Sequence, residues 1–311
     1  MDFFLLGLVL GILQGLFEWL PVSSEGQLVL FLVTFFKINP DVATSLALFA
    51  HIGTALVVII YYRNEFKDMV NVCLSYVGLN LTEKENSSFN KHLLLTRNVI
   101  IVTIFTVPTA LPSLIIFEDV VGKLSDQIHI SIPNLITFLI GILLLITGVI
   151  LYYRRKSTAD QPGFASKRSL ENLTIKEAII LGLLQGFAAL PGISRSAITI
   201  TYLLLGAKLN QDEALRGSFI VAVPVSLGAG FLDVVRGKIE FHSNGLFAPA
   251  PVNAIAIDYL GMLILIVTAF VVGFLTLRTF LDLAKKVDFD KFVIAFGLIA
   301  IGAVGLGLIL A

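Results

Sequence analysis

The chain has 311 residues, 57% of them hydrophobic and 14% charged, with a mean hydropathy of +0.92. Soluble domains carry about 25% charged residues, so composition excludes an ordinary water-soluble globule. The formal net charge is zero and Cys73 is the single cysteine, which removes a basic nucleic-acid surface and an internal disulfide framework.

The first apolar segment, residues 3–36, follows Met1 and Asp2 with no positive n-region. It has no small-x-small cleavage site, so a cleaved signal peptide is not expected. Gly15 and Pro21 interrupt it, and the stretch "LQGLFEWLPVSSEGQLVL" places amides, carboxylates and serines in its middle. At roughly 30 residues it is too long for one span and too short for two spans with a loop. It reads as two half-helices meeting at a tip, a re-entrant hairpin. Irregular backbone at membrane depth is tolerated only inside protein or beside a water-filled cavity.

Full spans are expected at 42–62, 93–117, 134–153, 214–235, 256–280 and 291–311. The segment 64–91, with "LTEKENSSFNK", reads as a loop with some helix. The segment 154–176, with "RRKSTADQPGFASKRS", reads as a flexible cytoplasmic loop. Residues 177–206 form a second interrupted apolar segment, broken at Gly186, Pro191 and Gly192.

The two interrupted segments resemble each other. "LGILQGLFEWLPVSS" begins at Leu10 and "LGLLQGFAALPGISRS" at Leu181. One deletion aligns Pro21 with Pro191, Ser24 with Ser194, and Glu25 with Arg195. The expected fold is therefore an all-α polytopic membrane protein built as an inverted-topology repeat, with two re-entrant hairpins and about six full spans. The first repeat covers 1–153 and the second 177–311.

Charge sets the expected orientation. With the first hairpin entering from outside, the inner loops hold most of the Lys and Arg. The outer face keeps only Lys37, Lys123, Arg236 and Lys238. The protein is expected in the plasma membrane, with a site near the midplane that opens to the outer face.

The chemistry-bearing residues lie at the two tips: Gln14, Glu18, Ser23, Ser24, Glu25 and Gln27 in the first, and Gln185, Ser194, Arg195, Ser196 and Thr199 in the second. A charge buried in hydrocarbon costs on the order of 3 kcal/mol or more, so Glu18 and Arg195 are poor choices for scaffolding alone. Opposite signs in two related tips suggest convergence. A plain ion pair joining the hairpins is the competing reading. The guanidinium and hydroxyls of Ser194-Arg195-Ser196 suit a phosphate. Gln14 and Glu18, four apart, share a helix face. A divalent cation would reconcile that carboxylate with an anionic ligand. Ser23 and Ser24 are candidate nucleophiles, and a serine needs a base. Glu25 and Glu18 are the nearest in sequence. His51, in "LFAHIGTALVV", reads first as a hydrogen-bonded interior residue and only second as a catalyst.

At these residues the chain resembles the undecaprenyl-diphosphatase family, the bacitracin-resistance type of polyprenyl-diphosphate phosphatase. "QGLFEWLPVSSEGQ" is similar to its (E/Q)xxxE motif with the Leu-Pro-x-Ser-Ser element, and "LPGISRSAIT" to its PGxSRSxxT motif. "VAVPVSLGAGFLD" resembles the segment that follows. The resemblance implies removal of one phosphate from undecaprenyl diphosphate with magnesium or calcium. It implies that Gln14 and Glu18 form the metal or acid motif and that Ser24 is the nucleophile. Arg195, Ser194, Ser196 and Thr199 would bind phosphate, with Ser23 and Gln27 nearby. The family commonly has a histidine where this chain has Gln27, so the base must be another group, with Glu25 as one choice. The partners expected are a polyprenyl diphosphate lipid, the bilayer and a second copy in a homodimer. Two other readings stay open: a different polyprenyl carrier, and a transporter or flippase for a polyprenyl phosphate or other anion.

Overall fold

The computed structural model describes residues 3–77, 87–128, 130–159, 168–235, 240–242, 256–286 and 289–310. The helices in chain order are α1 (Phe3–Phe17), α2 (Ser24–Phe36), α3 (Pro40–Tyr61), α4 (Arg63–Tyr76), α5 (Ser87–Ile128), α6 (Ile132–Ala159), α7 (Ile175–Gly186), α8 (Arg195–Thr201), α9 (Gln211–Val235), α10 (Tyr259–Lys286) and α11 (Phe289–Leu310). Two three-residue strands, β1 (Glu240–His242) and β2 (Ala256–Asp258), pair in parallel. Among the described residues, six helical stretches are long and apolar enough to cross a bilayer: Val42–Tyr61, Phe89–Ile128, Ile132–Ser157, Gln211–Phe231, Leu260–Leu283 and Phe289–Leu306. They match the six expected spans, and the protein is an all-α polytopic membrane protein apart from the short strand pair. Exposed Ile104, Ile115, Ile116, Leu275 and Ile299 put apolar surface outward, as a hydrocarbon solvent requires.

The two interrupted segments are helix pairs broken at their tips. α1 stops where the chain approaches Pro21, which has no amide hydrogen and disfavours helix at the residue before it. α7 starts on a capping box between Thr174 and Glu177. It runs into the short 3₁₀ turn Phe187–Ala189 and breaks before Pro191. Each second half-helix starts on a serine cap. Ser23 accepts from the Gly26 amide and Ser194 from the Ala197 amide. The sequence alignment paired Ser24 with Ser194, whereas the caps pair Ser23 with Ser194. The helix starts therefore differ by one residue, with Ser23 in a left-handed conformation at φ 60°.

Helix contacts are close because small residues line them. Gly7, Gly11 and Gly15 face α10, where an added Cβ would meet the backbone of Gly261, Leu265 and Gly273. α7 packs on α5, α3 on α9, and α6 on α11. Two buried apolar clusters result. One is built around Leu10, Leu28, Leu32, Ala47 and Ile140, and the other around Trp19, Val57, Leu181, Leu203 and Phe219. The two tips lie where these clusters meet.

Two expected loops are more ordered than their composition implied. Most of 64–91 is helix, in α4 and the start of α5; residues 78–86 lie outside the described residues. In 154–176, α6 continues to Ala159, residues 160–167 lie outside the described residues, and 168–174 is a packed insert. Its Leu170 and Leu173 are buried. Asn98 on α5 donates to the Leu170 carbonyl at 2.9 Å, and Arg97 to the Leu173 carbonyl at 3.0 Å. Arg216 on α9 bonds Glu171 and Glu213, both at 3.0 Å. Polar spacing in the sequence read as solvation; here it serves side chains that satisfy backbone carbonyls of the insert.

Candidate active site

Glu18 is the centre of the site. It directly follows α1 and continues its last turn, its amide bonded to the Gln14 carbonyl at 3.0 Å. The neighbouring Trp19 is pinned by a 3.2 Å bond to Thr276 on α10 and an edge contact with Phe219. The Glu18 carboxylate is 5% exposed, so it needs partners. Arg195, from the second tip, pairs with its Oε1. Gln14 Nε2 donates to Oε2 at 2.8 Å, and the Ser24 hydroxyl donates to the same oxygen at 2.9 Å.

The tips touch through their backbones. A Cβ on Gly26 would come within 2.8 Å of the Gly192 nitrogen. Ser196 Oγ donates to the Leu20 carbonyl at 3.4 Å. Thr147 on α6 fixes the second tip, donating to the Gly192 carbonyl at 2.9 Å and accepting from the Ser194 amide at 3.1 Å. Arg195 therefore projects from a backbone held on both sides.

An open cleft with about 300 Å³ of empty space lies against this pair. Glu18, Ser23, Ser24, Glu25, His51, Ser194, Arg195 and Ser196 supply its polar wall, with Leu20, Ala188 and Ile193 beside them. A smaller cavity of about 180 Å³ lies between α3 and α9, also touching Glu18 and Arg195 and lined by Thr54, Val58, Phe219 and Ser226.

Most expected residues meet here, and four stand apart from the cleft wall. Gln14 is fully buried behind Glu18, to which it donates. Gln27 is buried and donates to the Val22 carbonyl at 3.3 Å, so it serves the tip's own backbone. Thr199 bonds Ser218 on α9 at 2.6 Å behind the wall. Gln185 donates to Thr106 on α5 at 3.0 Å, although it aligns with Gln14. The addition is His51. Its Nε2 lies 3.4 Å from Ser24 Oγ and 3.2 Å from Glu18 Oε2, and its Nδ1 lies 2.7 Å from the Ala47 carbonyl. His51 is a hydrogen-bonded interior residue, as first read, and it also lies on the cleft wall. The signal for it in the sequence was a single histidine within an apolar span.

The expected magnesium or calcium can be tested against the donor set. Divalent ions of this kind take oxygen ligands, and Mg²⁺ typically uses one or two carboxylates plus substrate phosphates. Both oxygens of Glu18 already receive N–H or O–H donors, and Gln14 turns its NH₂ toward the carboxylate. Gln14 Oε1 is buried without a hydrogen-bond partner. No group of three or more His, Cys, Asp or Glu suited to a metal occurs among the described residues. This arrangement does not fit an ion held by the chain itself, since a cation would have to displace Arg195 or the Gln14 amide from Glu18.

The chain is 34% identical to an undecaprenyl-diphosphatase of Methanothrix thermoacetophila over 299 residues, 96% of each chain. It is 32% identical to that of Saccharolobus solfataricus over 302 residues, covering 97% of this chain and 95% of the relative. It is also 32% identical to that of Haloarcula marismortui over 310 residues, 99% and 98% of the two chains. The sequence profile described as Bacitracin resistance protein BacA matches residues 7–303. A match that takes in both tips and reaches all six membrane-length helices places this chain in the bacitracin resistance protein BacA family.

Proposed function

We propose that the chain hydrolyses a polyprenyl diphosphate, undecaprenyl diphosphate or a close analogue, to the monophosphate and inorganic phosphate. The observation that carries this is the meeting of Ser24 and Arg195, from two separate tips, on the one carboxylate of Glu18 in a polar cleft. The undecaprenyl-diphosphatase names of relatives along the whole chain support the substrate class.

Arg195 has five donors in a planar fork and gives one edge to Glu18, leaving donors to bind phosphate oxygens. Ser194 and Ser196 add hydroxyls on the same wall. Ser24 Oγ attacks the terminal phosphorus, with Glu18 orienting the hydroxyl. Gln14 and the second tip hold Glu18 in place. A divalent cation, magnesium or calcium, would come with the diphosphate on its own oxygens and water, and would supply charge neutralisation. The prenyl tail stays in lipid while the headgroup enters the cleft.

The packing of α1 on α10 and of α7 on α5 supports a duplicated, inverted arrangement, because each leading half-helix packs on the corresponding helix of the other half. The positive-inside bias then opens the cleft to the outer face of the plasma membrane. The test is phosphate release by purified protein from prenyl diphosphates of several lengths. Release that depends on Ser24 and Arg195 supports hydrolysis; binding without release in every case would overturn it.

A further inference from the structure

We infer that His51 is the catalytic base for Ser24, supplied by α3 in place of the tip position held by Gln27. This rests on the hydrolase reading above. The Ala47 carbonyl can only accept a hydrogen bond, so its 2.7 Å contact fixes the proton of neutral His51 on Nδ1. The lone pair then sits on Nε2, which faces Ser24 Oγ at 3.4 Å across the cleft wall. The carbonyl is one helical turn before His51 on the same helix, so tautomer and ring direction are built into α3.

Glu18 and His51 divide the work. Glu18, held by Arg195 and Gln14, accepts a hydrogen bond from the Ser24 hydroxyl at 2.9 Å in the substrate-free site, so the hydroxyl turns from Oε2 to Nε2 when phosphate enters the cleft. Once protonated, His51 Nε2–H faces Glu18 Oε2 at 3.2 Å, so the proton taken from Ser24 gains a carboxylate partner. Contacts of this length are ordinary in a substrate-free site and tighten in the reacting complex. Gln27 cannot substitute, being turned to the Val22 carbonyl.

Ser24 Oγ forms a bond to the terminal phosphorus as the bridging P–O bond breaks. The hydroxyl proton goes to His51 Nε2 and then to the departing polyprenyl monophosphate. Water next attacks the phosphoserine, giving one proton to Nε2. The Ser24 oxygen leaves with that proton, and inorganic phosphate is released. Net, one water is consumed and His51 is unchanged.

The charged groups facing the ring are Glu18, Glu25 and Arg195. Of the helices packed on α3, α9 brings Phe219 and Ser226 nearby and α10 brings Ala269 and Phe270 against Gly53, all uncharged. α4 begins at Arg63, about three helical turns beyond His51. The substrate phosphates also titrate, so the comparison is between variants at saturating substrate.

The test compares wild type with His51→Gln and His51→Ala, each checked for an unchanged melting temperature. Two readouts are used: turnover of a prenyl diphosphate against pH, and labelling of Ser24 by a fluorophosphonate probe, which needs an activated serine but no turnover. Turnover in His51→Gln should fall by about 10²-fold or more. Any acid limb of kcat that wild type shows should vanish in the variant, and imidazole should partly restore His51→Ala. A His51→Gln protein with wild-type turnover and an intact acid limb overturns the proposal. Should wild type release no phosphate yet label at Ser24 in a His51-dependent way, the base assignment stands and the hydrolase reading falls. Equal labelling with and without His51, or no labelling of wild type, overturns the base assignment. If His51→Gln unfolds, the labelling of His51→Ala with imidazole decides the matter. In that case, His51→Ala labelling that imidazole fails to restore counts against the proposal.

Discussion

At the scale of single residues, the site turns on how few groups share one buried carboxylate. Removing one partner of a buried ion pair strands the other charge, at about 3–5 kcal/mol. Truncation therefore confounds folding with function, and charge-preserving changes are more informative. Arg195→Lys keeps a cation for Glu18 but loses the planar fork. It should retain the fold and lose most phosphate release, measured alongside the melting temperature. Near wild-type turnover in that variant would remove Arg195 as the main phosphate ligand. Both Glu18 oxygens are occupied by donors from the chain. Chelation by EDTA should therefore leave the melting temperature of the substrate-free protein unmoved, while a cation that arrives with the diphosphate, as proposed, predicts that EDTA stops hydrolysis. A drop in melting temperature on chelation would place the ion on the chain itself.

At the scale of elements, the broken helices matter more than the straight ones. The two tips approach so closely that glycine is required at the contact. An alanine at Gly26 would push its Cβ to 2.8 Å from the Gly192 nitrogen. Gly192 itself has φ +108°, a conformation costly for any L side chain, and its Cβ would meet the Ile140 carbonyl at 2.9 Å. Gly26→Ala and Gly192→Ala should each cost about 1–3 kcal/mol as overpacking changes, read as a lower melting temperature. Phosphate release should fall beyond what unfolding explains, because the contact sets the separation of Ser24 and Arg195. Gly122, inside α5 with open space around it, is the control; alanine there should leave phosphate release unchanged and raise the melting temperature slightly, because alanine favours helix over glycine.

At the scale of the whole molecule, the insert 168–174 ties α5, α7 and α9 together at one end of the bundle. Arg168 bonds Glu177 and the Ala207 carbonyl, while Arg216 reaches Glu171, Glu213 and Glu65. Burial by itself pushes the Glu171 carboxyl up, but hydrogen bonds from Arg216 and Ser169 outweigh it and hold the group below its ordinary value. A depressed carboxyl contributes stability above the ordinary carboxylate range and loses it as pH falls through that range and below. The melting temperature in detergent should therefore hold from neutral pH down to about pH 5 and fall as pH drops further. Glu171→Gln should start lower and drop less steeply. An identical pH dependence in the variant would show that another group sets the acid limit.

The sequence alone determined the solvent, the six spans, the two interruptions and most of the polar residues that meet at the tips. Those are local properties: an apolar run long enough to cross a bilayer, or a proline that stops a helix, acts through its immediate neighbours. Residues such as Glu18 and Arg195 were legible because an ionised group in an apolar segment demands a partner. Only the tertiary structure decided which helix faces meet. Gln27 sits in the motif yet turns to its own tip, while His51 lies outside it and reaches Ser24 because α3 packs beside α2. Ser23 rather than Ser24 took the cap, since the first tip begins its helix one residue earlier relative to the alignment. The polar insert became a packed element because buried carbonyls at its backbone found Asn98 and Arg97. Each of these depends on the register between segments far apart in the chain, and no local pattern encodes that register.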